Sequence, residues 1–276
     1  MRTLGEVRNR TRARALALRI NPRDVDLLLM DALNKPLAFL IGQDDWIVDA
    51  DVEAEFLQRI ERRFAGEPVQ YLRGRTEFYG REFLVDSRVL IPRPETELLV
   101  EATMARVSHN QSVIDIGTGS GCVAVTLSCE RPDLTVRATD ISVAALALAA
   151  ANARRLGAPL RFIASDVFAG IRSTFDVIVS NPPYIAQAEI PGLQQEVRRF
   201  EPIDALTPGA DALAMIRRLI GQASTFLNAG GYLLFELGWN QATDVLAAAT
   251  DSGWKRCEFL NDLAGIPRVA VLSSDP

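Results

Sequence analysis

Val113-Ile114-Asp115-Ile116-Gly117-Thr118-Gly119-Ser120-Gly121 is the stretch on which the reading of this chain turns. A β-branched, apolar run gives way to three glycines, and Cys122–Cys129 then reads as a helix. A strand that turns into a helix through glycines lets backbone N–H groups approach a ligand at the helix N-terminus. A tight turn with no ligand uses the same residues. The dinucleotide fingerprint asks for glycine or alanine five positions after the first glycine. Here that position is Cys122, and the third glycine falls one residue early. Asp115 places a carboxylate at the strand end. It would repel a pyrophosphate and tolerate a cation.

Working outward, strands are expected at Ser112–Ile116, Thr135–Thr139, Leu160–Ala164, Phe175–Val179 and Gly231–Phe235, with a last one near Arg268–Leu272. Helical stretches, Cys122–Cys129 and Val143–Leu156, separate the first three. That alternation predicts an α/β fold, a parallel sheet with helices on both faces. Asp140 ends the second strand and can accept the two hydroxyl protons of an adenosine ribose. Asp166 and Val167 follow the third, where a carboxylate and an apolar side chain would meet an adenine. Either aspartate alone reads equally well as a helix cap; the three strand ends together point to a nucleoside-bearing ligand.

After the fourth strand comes Asn181-Pro182-Pro183-Tyr184. Ligands of parallel sheets bind at the carboxyl ends of the strands, so this loop should border the same crevice. An amide or exocyclic amino nitrogen is a poor nucleophile because its lone pair is delocalised. Two acceptors, the Asn181 side-chain carbonyl and the Pro182 backbone carbonyl, can each take one N–H and turn that lone pair toward an electrophile. Proline has no N–H to compete and stiffens the loop. Tyr184 offers a flat surface for a planar group.

Before the sheet, the first 75 residues look helical. Val25, Leu28, Leu29 and Ala32 recur at helical spacing behind Asn21-Pro22, and Val52, Phe56, Ile60 and Phe64 recur every four residues from Asp51, a candidate cap, to Ala65. Residues 76–91 read as a β-hairpin linker, with Gly80 and Asp86-Ser87 as turns, and a helix from Thr96 to Val107 opens the large domain over 92–276.

Composition removes several classes. The 276 residues are 48% hydrophobic with a net charge of −5, enough apolar content for a real core and a poor match to a protein that coats nucleic acid. His109 is the only histidine, which excludes His-pair metal motifs and leaves no metal site to expect. Cys122, Cys129 and Cys257 are three, without C-x-x-C spacing, so free buried thiols are expected rather than a disulfide framework. The longest greasy run, Val143–Ala151, is too short to span a bilayer, and no apolar signal segment follows the arginine-rich start. A cytoplasmic protein without a membrane partner is expected.

The glycine loop with Asp140, Asp166 and Val167 resembles the class I S-adenosylmethionine-dependent methyltransferases, and Asn181-Pro182-Pro183-Tyr184 resembles their amino- and amide-nitrogen branch, which modifies adenine, cytosine or glutamine. Pro68-Val69-Gln70-Tyr71-Leu72, Glu77-Phe78-Tyr79-Gly80 and above all Ile91-Pro92-Arg93-Pro94-Glu95-Thr96-Glu97 are similar to the protein-(glutamine-N5) methyltransferases that act on peptide-chain release factors. Phe200-Glu201-Pro202, Glu236-Leu237-Gly238 with Gln241, and Asp262-Leu263-Ala264-Gly265 with Arg268 add to that similarity, which covers roughly residues 65–272. The resemblance implies a Rossmann-like class I methyltransferase sheet behind a small helical domain. It also implies transfer of a methyl group from S-adenosylmethionine to the glutamine of a Gly-Gly-Gln loop in class I release factors. Gly117, Thr118, Gly119, Ser120, Gly121, Asp140, Asp166, Val167 and Asn181 would then hold the cofactor. Asn181, Pro182, Pro183 and Tyr184 would receive the substrate, with Asn181, Pro182 and Tyr184 catalytic, and the helices of 1–75 would dock the release factor. The alternatives are a nucleic-acid base, flipped out of its stack, or a ribosomal-protein glutamine. Two points stay open: Arg93, Glu95 and Glu97 either line the cofactor pocket or tie hairpin to helix, and Glu236 is either at the rim or a salt-bridge partner. Ala212 stands where the family has glycine, which puts the local turn in doubt.

Overall fold

Thr3 and Glu6 close a reciprocal capping box that starts α1 (Leu4–Ala17), whose Leu4, Val7, Thr11 and Ala15 face inward. Asn21 caps α2 (Pro22–Leu33) with proline in its first turn, as the sequence predicts. After α3 (Leu37–Gly42), α4 (Ala50–Phe64) begins two residues earlier than expected. Asp49 is its cap and accepts the N–H of Asp51; Asp51 itself lies inside the first turn, where its charge suits the helix dipole. α5 (Val69–Arg73) completes the set. Val25, Leu28, Leu29, Phe56 and Ile60 form the core of these helices. Arg63 is buried beside it, 2.7 Å from Asp24 and 3.0 Å from Glu196.

The computed structural model describes residues 2–273. These divide into two compact units: 2–74 with Gln194–Phe200, and Arg75–Leu193 with 201–273. No helix among the described residues is long and apolar enough to cross a membrane.

The larger unit opens with β1 (Arg75–Phe78) and β2 (Arg81–Leu84), an antiparallel hairpin whose Phe78 and Phe83 are buried in the unit's own core. Tyr79 and Gly80 both have positive φ, +51° and +68°, the mirror-image turn that matches strand twist. A 3₁₀ turn, Pro94–Thr96, leads into α6 (Glu97–Met104). Then follow β3 (Ser112–Ile116), α7 (Cys122–Glu130), β4 (Thr135–Asp140), α8 (Val143–Leu156), β5 (Arg161–Ala164) and β6 (Phe175–Ser180). The chain continues through α9 (Gln195–Phe200), α10 (Ile203–Leu206), α11 (Ala214–Ala223), β7 (Leu227–Glu236), α12 (Ala242–Asp251), β8 (Arg256–Asn261) and β9 (Pro267–Ser273).

The seven-stranded sheet runs β5-β4-β3-β6-β7-β9-β8. The first five strands are parallel; β9 lies antiparallel to both β7 and β8. β8 is a strand the sequence reading does not contain. Successive residues serve opposite faces: Val113 and Val177 pack in the core beneath α6, α7 and α8, whereas Ile114 and Ile178 pack beneath α11 and α12. From β3 the chain builds outward to β4 and β5, then returns to place β6 on the other side of β3. The crevice at the carboxyl ends of β3 and β6 is therefore the switch point of the sheet, where open α/β folds bind ligands. The doubtful turn at Ala212 is sound: Asp211 accepts the N–H of Leu213, and Ala212 is not among the residues with left-handed backbone.

Asn152, in the middle of the alanine-rich α8, is fully buried. Its Nδ2 donates to the carbonyls of Leu84 and Ser120, and its Oδ1 accepts the Leu84 N–H. One side chain thus clamps the hairpin and the glycine loop to the helix. Asn152→Ala strands these groups at about 1–3 kcal/mol per unpaired buried group. We expect a loss of about 3 kcal/mol in urea unfolding, with protease sensitivity rising in the hairpin.

Candidate active site

The three glycines leave β3 with left-handed backbone, φ +74°, +56° and +82° at Gly117, Gly119 and Gly121. Side chains at the first two would meet no neighbour within 4 Å, so there the requirement is the turn itself. Gly121 answers a second need, because a Cβ there would stand 3.1 Å from the Cβ of Ala149 and push α7 off α8. The third glycine is a packing glycine, and it does not line the crevice as Gly117, Thr118, Gly119 and Ser120 do. Asp140 organises the loop: its Oδ2 accepts the N–H of Gly119 at 2.9 Å and its Oδ1 that of Ser142 at 2.9 Å. The cap of α8 is Ser142, not Asp140. Each Asp140 oxygen keeps a further lone pair for a ligand hydroxyl.

At the end of β5, Val167 has φ +54°, a conformation costly for a β-branched residue. The Ser165 hydroxyl sits 3.0 Å from the Val167 carbonyl and 2.7 Å from that of Ala169, and the Val167 side chain is buried. Asp166 is exposed and pairs with Arg218 at 3.0 Å. Asp140, Asp166, Val167, Asn181, Pro182 and Pro183 all line one cavity of about 490 Å³ with the glycine loop. That is the size of a small-molecule site.

Asp115 lies on the same wall, 1% exposed, with the Thr118 hydroxyl donating to it at 2.6 Å. Burial pushes its pKa up to about 7, and the neighbouring Asp140, itself raised by burial, adds to the shift. Asp115, Asp140, Asp166 and Asp204 line the cavity together with Arg88, Arg93 and Arg218, and the interacting Asp115 and Asp140 are the part of the lining that suits a positively charged group.

On the β6 side, Nδ2 of Asn181 donates to the Thr96 hydroxyl at 3.0 Å, and that hydroxyl donates to Glu236 Oε2 at 2.6 Å. Tyr184 donates its O–H to the other oxygen of Glu236 at 2.9 Å, and the Tyr184 carbonyl accepts from Gln241 Nε2 at 2.8 Å. Burial raises the pKa of Glu236; burial and the adjacent Glu236 raise that of Tyr184. Tyr184 is tied behind the wall: it packs against the core beneath α11 and does not line the cavity, a different placement from the open stacking face expected of it.

Of the residues left open from sequence, Arg93 lines the cavity, whereas Glu95 is exposed and is not among the lining residues. Arg93 pairs with Glu201, which also accepts the Ile91 N–H at 3.1 Å. Glu97 accepts the N–H of Tyr79 at 2.7 Å and so braces the hairpin turn. Glu236 is a buried acceptor of two hydroxyls. Thr96, Gln241 and Asn152 carry the site without having been singled out for it. The available signal was a polar residue inside an apolar helix, for Asn152.

Residues 94–197 match the family model described as Methyltransferase small domain, and residues 8–74 that described as PrmC N-terminal domain. The chain is 44% identical over 256 residues to the release factor glutamine methyltransferase of Koribacter versatilis (strain Ellin345), covering 91% of each. It is 44% identical over 259 residues to that of Burkholderia pseudomallei (strain K96243), covering 90% of each. Among solved structures, a methyltransferase from Pyrococcus furiosus superposes with a TM-score of 0.54 at 17% identity, over 82% of this chain and 99% of that one, which supports the fold. Likeness of this order across nine-tenths of both sequences, around a glycine-loop cavity walled by Asn181-Pro182-Pro183, means that the chain belongs to the release factor glutamine methyltransferase family.

Proposed function

We propose that this enzyme methylates the side-chain amide nitrogen of a release-factor glutamine, the one in the Gly-Gly-Gln loop, with S-adenosylmethionine as donor. The observation that carries the reading is the Asn181 amide, held by its nitrogen end at Thr96 in the wall of the cavity, so that its carbonyl end is directed away from Thr96. S-adenosylmethionine supplies a methyl carbon already activated by a sulfonium. Asp140 would take its ribose hydroxyls, Val167 and Asp166 its adenine, and the Asp115 wall its cationic end. Asn181 Oδ1 and the Pro182 carbonyl each accept one N–H of the glutamine amide, which aims the nitrogen lone pair into the cavity. As the N–C bond formed, the S–CH₃ bond of the sulfonium would break with its electron pair left on the thioether sulfur, and one N–H proton would pass to solvent. Orientation of this kind is worth up to roughly 7–11 kcal/mol of barrier.

The helices of residues 2–74 would dock the release factor, a role supported by their separate core and by exposed Leu16 and Ile41. Gln194–Phe200 clusters with them, so surface substitutions test this better than excision. Leu16→Asp with Ile41→Asp should raise the release-factor KM and leave cofactor affinity alone; an unchanged KM removes the docking role.

The pH dependence of cofactor affinity follows from Asp115. Its folded pKa of about 7 lies above the unfolded value of 3.8, so the folded chain binds the extra proton between those limits. Folding stability from this group is present at low pH and is lost as pH rises through 7. Affinity for a cationic ligand moves the other way, rising between pH 6 and 8 as the carboxylate ionises. Calorimetry across that range should show the rise with proton release, and Asp115→Asn should flatten it.

The reading itself is tested by labelled-methyl transfer to purified release factor, beside a release factor whose Gly-Gly-Gln glutamine is replaced and a nucleic-acid control. Label confined to the intact release factor supports it. Label in nucleic acid alone overturns it.

A further inference from the structure

We infer that Thr96 and Glu236 are positioning residues that set the polarity of the Asn181 amide, so that the cavity is offered its carbonyl oxygen and not its NH₂. This rests on the reading of Asn181 as an acceptor for the substrate amide. The argument begins with a general ambiguity: the two ends of an asparagine amide have nearly the same shape and opposite hydrogen-bonding sense. An acceptor role therefore requires something that forbids the flipped state. Glu236 is a buried acceptor with two oxygens, and each is met by a hydroxyl, Oε2 by Thr96 at 2.6 Å and Oε1 by Tyr184 at 2.9 Å. A threonine hydroxyl has one proton. Once that proton points at Glu236, only lone pairs remain for Asn181, so the group facing Thr96 at 3.0 Å has to be the donor Nδ2. The carbonyl end then faces the other way.

Nothing nearby in sequence supplies this. Thr96 and Glu236 stand 140 residues apart, and Thr96 and Asn181 stand 85 apart. The Ile91–Glu97 stretch, whose Arg93 lines the cavity while pairing with Glu201 and whose Glu97 holds the Tyr79 N–H, thereby acquires a further chemical purpose. It delivers one hydroxyl to the point between the amide and the carboxylate, and the Arg93–Glu201 pair fixes the segment that carries it.

The test combines kinetics with a direct view of the amide. In Thr96→Val the donor Nδ2 loses its partner, and in Glu236→Gln the acceptor-only group becomes a mixed one that lets the Thr96 hydroxyl turn toward Asn181. Both variants should lower kcat for release-factor methylation by about tenfold or more, in proportion to the lost fraction of correctly oriented amide. KM and cofactor Kd should stay within about twofold. Thr96→Ser keeps the hydroxyl and should recover most of the rate. The side-chain NH₂ of Asn181, observed by NMR in ¹⁵N-labelled enzyme without release factor, should exchange slowly with solvent in wild type and in Thr96→Ser, and fast in Thr96→Val. Wild-type kcat in Thr96→Val, a Thr96→Ser variant as poor as Thr96→Val, or unaltered NH₂ exchange in folded Thr96→Val would each overturn the inference. The NMR arm needs no methyl acceptor, so a wrong substrate assignment leaves it standing and is detected separately as absent label in the wild-type assay.

Discussion

Asn181→Ala should reduce kcat by about 100- to 1000-fold while the protein remains folded and still binds its cofactor. The size follows from what a single aimed hydrogen-bonding partner contributes in a water-poor site, roughly 2.7–4 kcal/mol of transition-state stabilisation. The amide to be methylated is unreactive until its two N–H groups are held. With Oδ1 gone, Pro182 keeps one of them and the nitrogen turns freely. The loss should appear in kcat more than in KM, because the interaction matters most once the lone pair is aimed. Asn181→Asp is the sharper control. It retains an oxygen toward the substrate but replaces Nδ2, so Thr96 must choose between two carboxylates with its one proton. We expect it to be no better than alanine at neutral pH. Single-turnover methylation, read beside cofactor titration, separates these effects; a near-wild-type kcat for Asn181→Ala would remove Asn181 from the chemistry.

Asp140→Ala should weaken cofactor binding by at least about 100-fold, with a smaller change in folding stability. Two effects act together on binding. The carboxylate that would accept ribose hydroxyls disappears, and hydrogen bonds to a charged acceptor are worth about 1.5–3 kcal/mol each. The Gly119 and Ser142 N–H groups also lose their partner, so the loop that faces the ligand is no longer held. Two such losses amount to about 3 kcal/mol or more, or a factor of a hundred and above in Kd. Stability is buffered, because burial already disfavours the charge on Asp140 and its removal relieves that penalty. Asp140→Asn keeps one acceptor and should fall between. Equal Kd for wild type and Asp140→Ala, by calorimetry, would contradict the assignment.

The centre of the sheet was legible because β3 and β6 are buried on both faces. Ile114, Ile116, Ile178 and Val179 give short apolar runs, and glycine or proline closes each. Where burial is one-sided the signal faded. β8 is an edge strand in which Arg256 and Glu258 alternate with Cys257 and Phe259, so its polar half hides its apolar half. α1 was masked in a different way. Its arginines read as a basic terminus, yet Arg8 and Arg12 bond Asp26 and Arg14 bonds Glu61, while Leu4 and Val7 underneath are core. At the site, the residues that face the ligand come from contiguous motifs and could be read as such. The residues that hold them in place come from elsewhere in the chain, as Thr96, Glu236 and Asn152 do, and no local pattern joins them.

The placement of Gln194–Phe200 among the N-terminal helices bears on how the chain is made. A ribosome delivers residues 2–74 first, but Glu196, which meets the buried Arg63, and Gln195, which lies against Gly66, arrive 120 residues or more later. At roughly 5–20 residues per second that interval lasts about 6–24 seconds. During it the helical unit has to persist with one flank unfinished, and most of the parallel sheet is synthesised before the flank is closed. Whatever order folding takes, the N-terminal unit is completed only after the catalytic loop has left the ribosome.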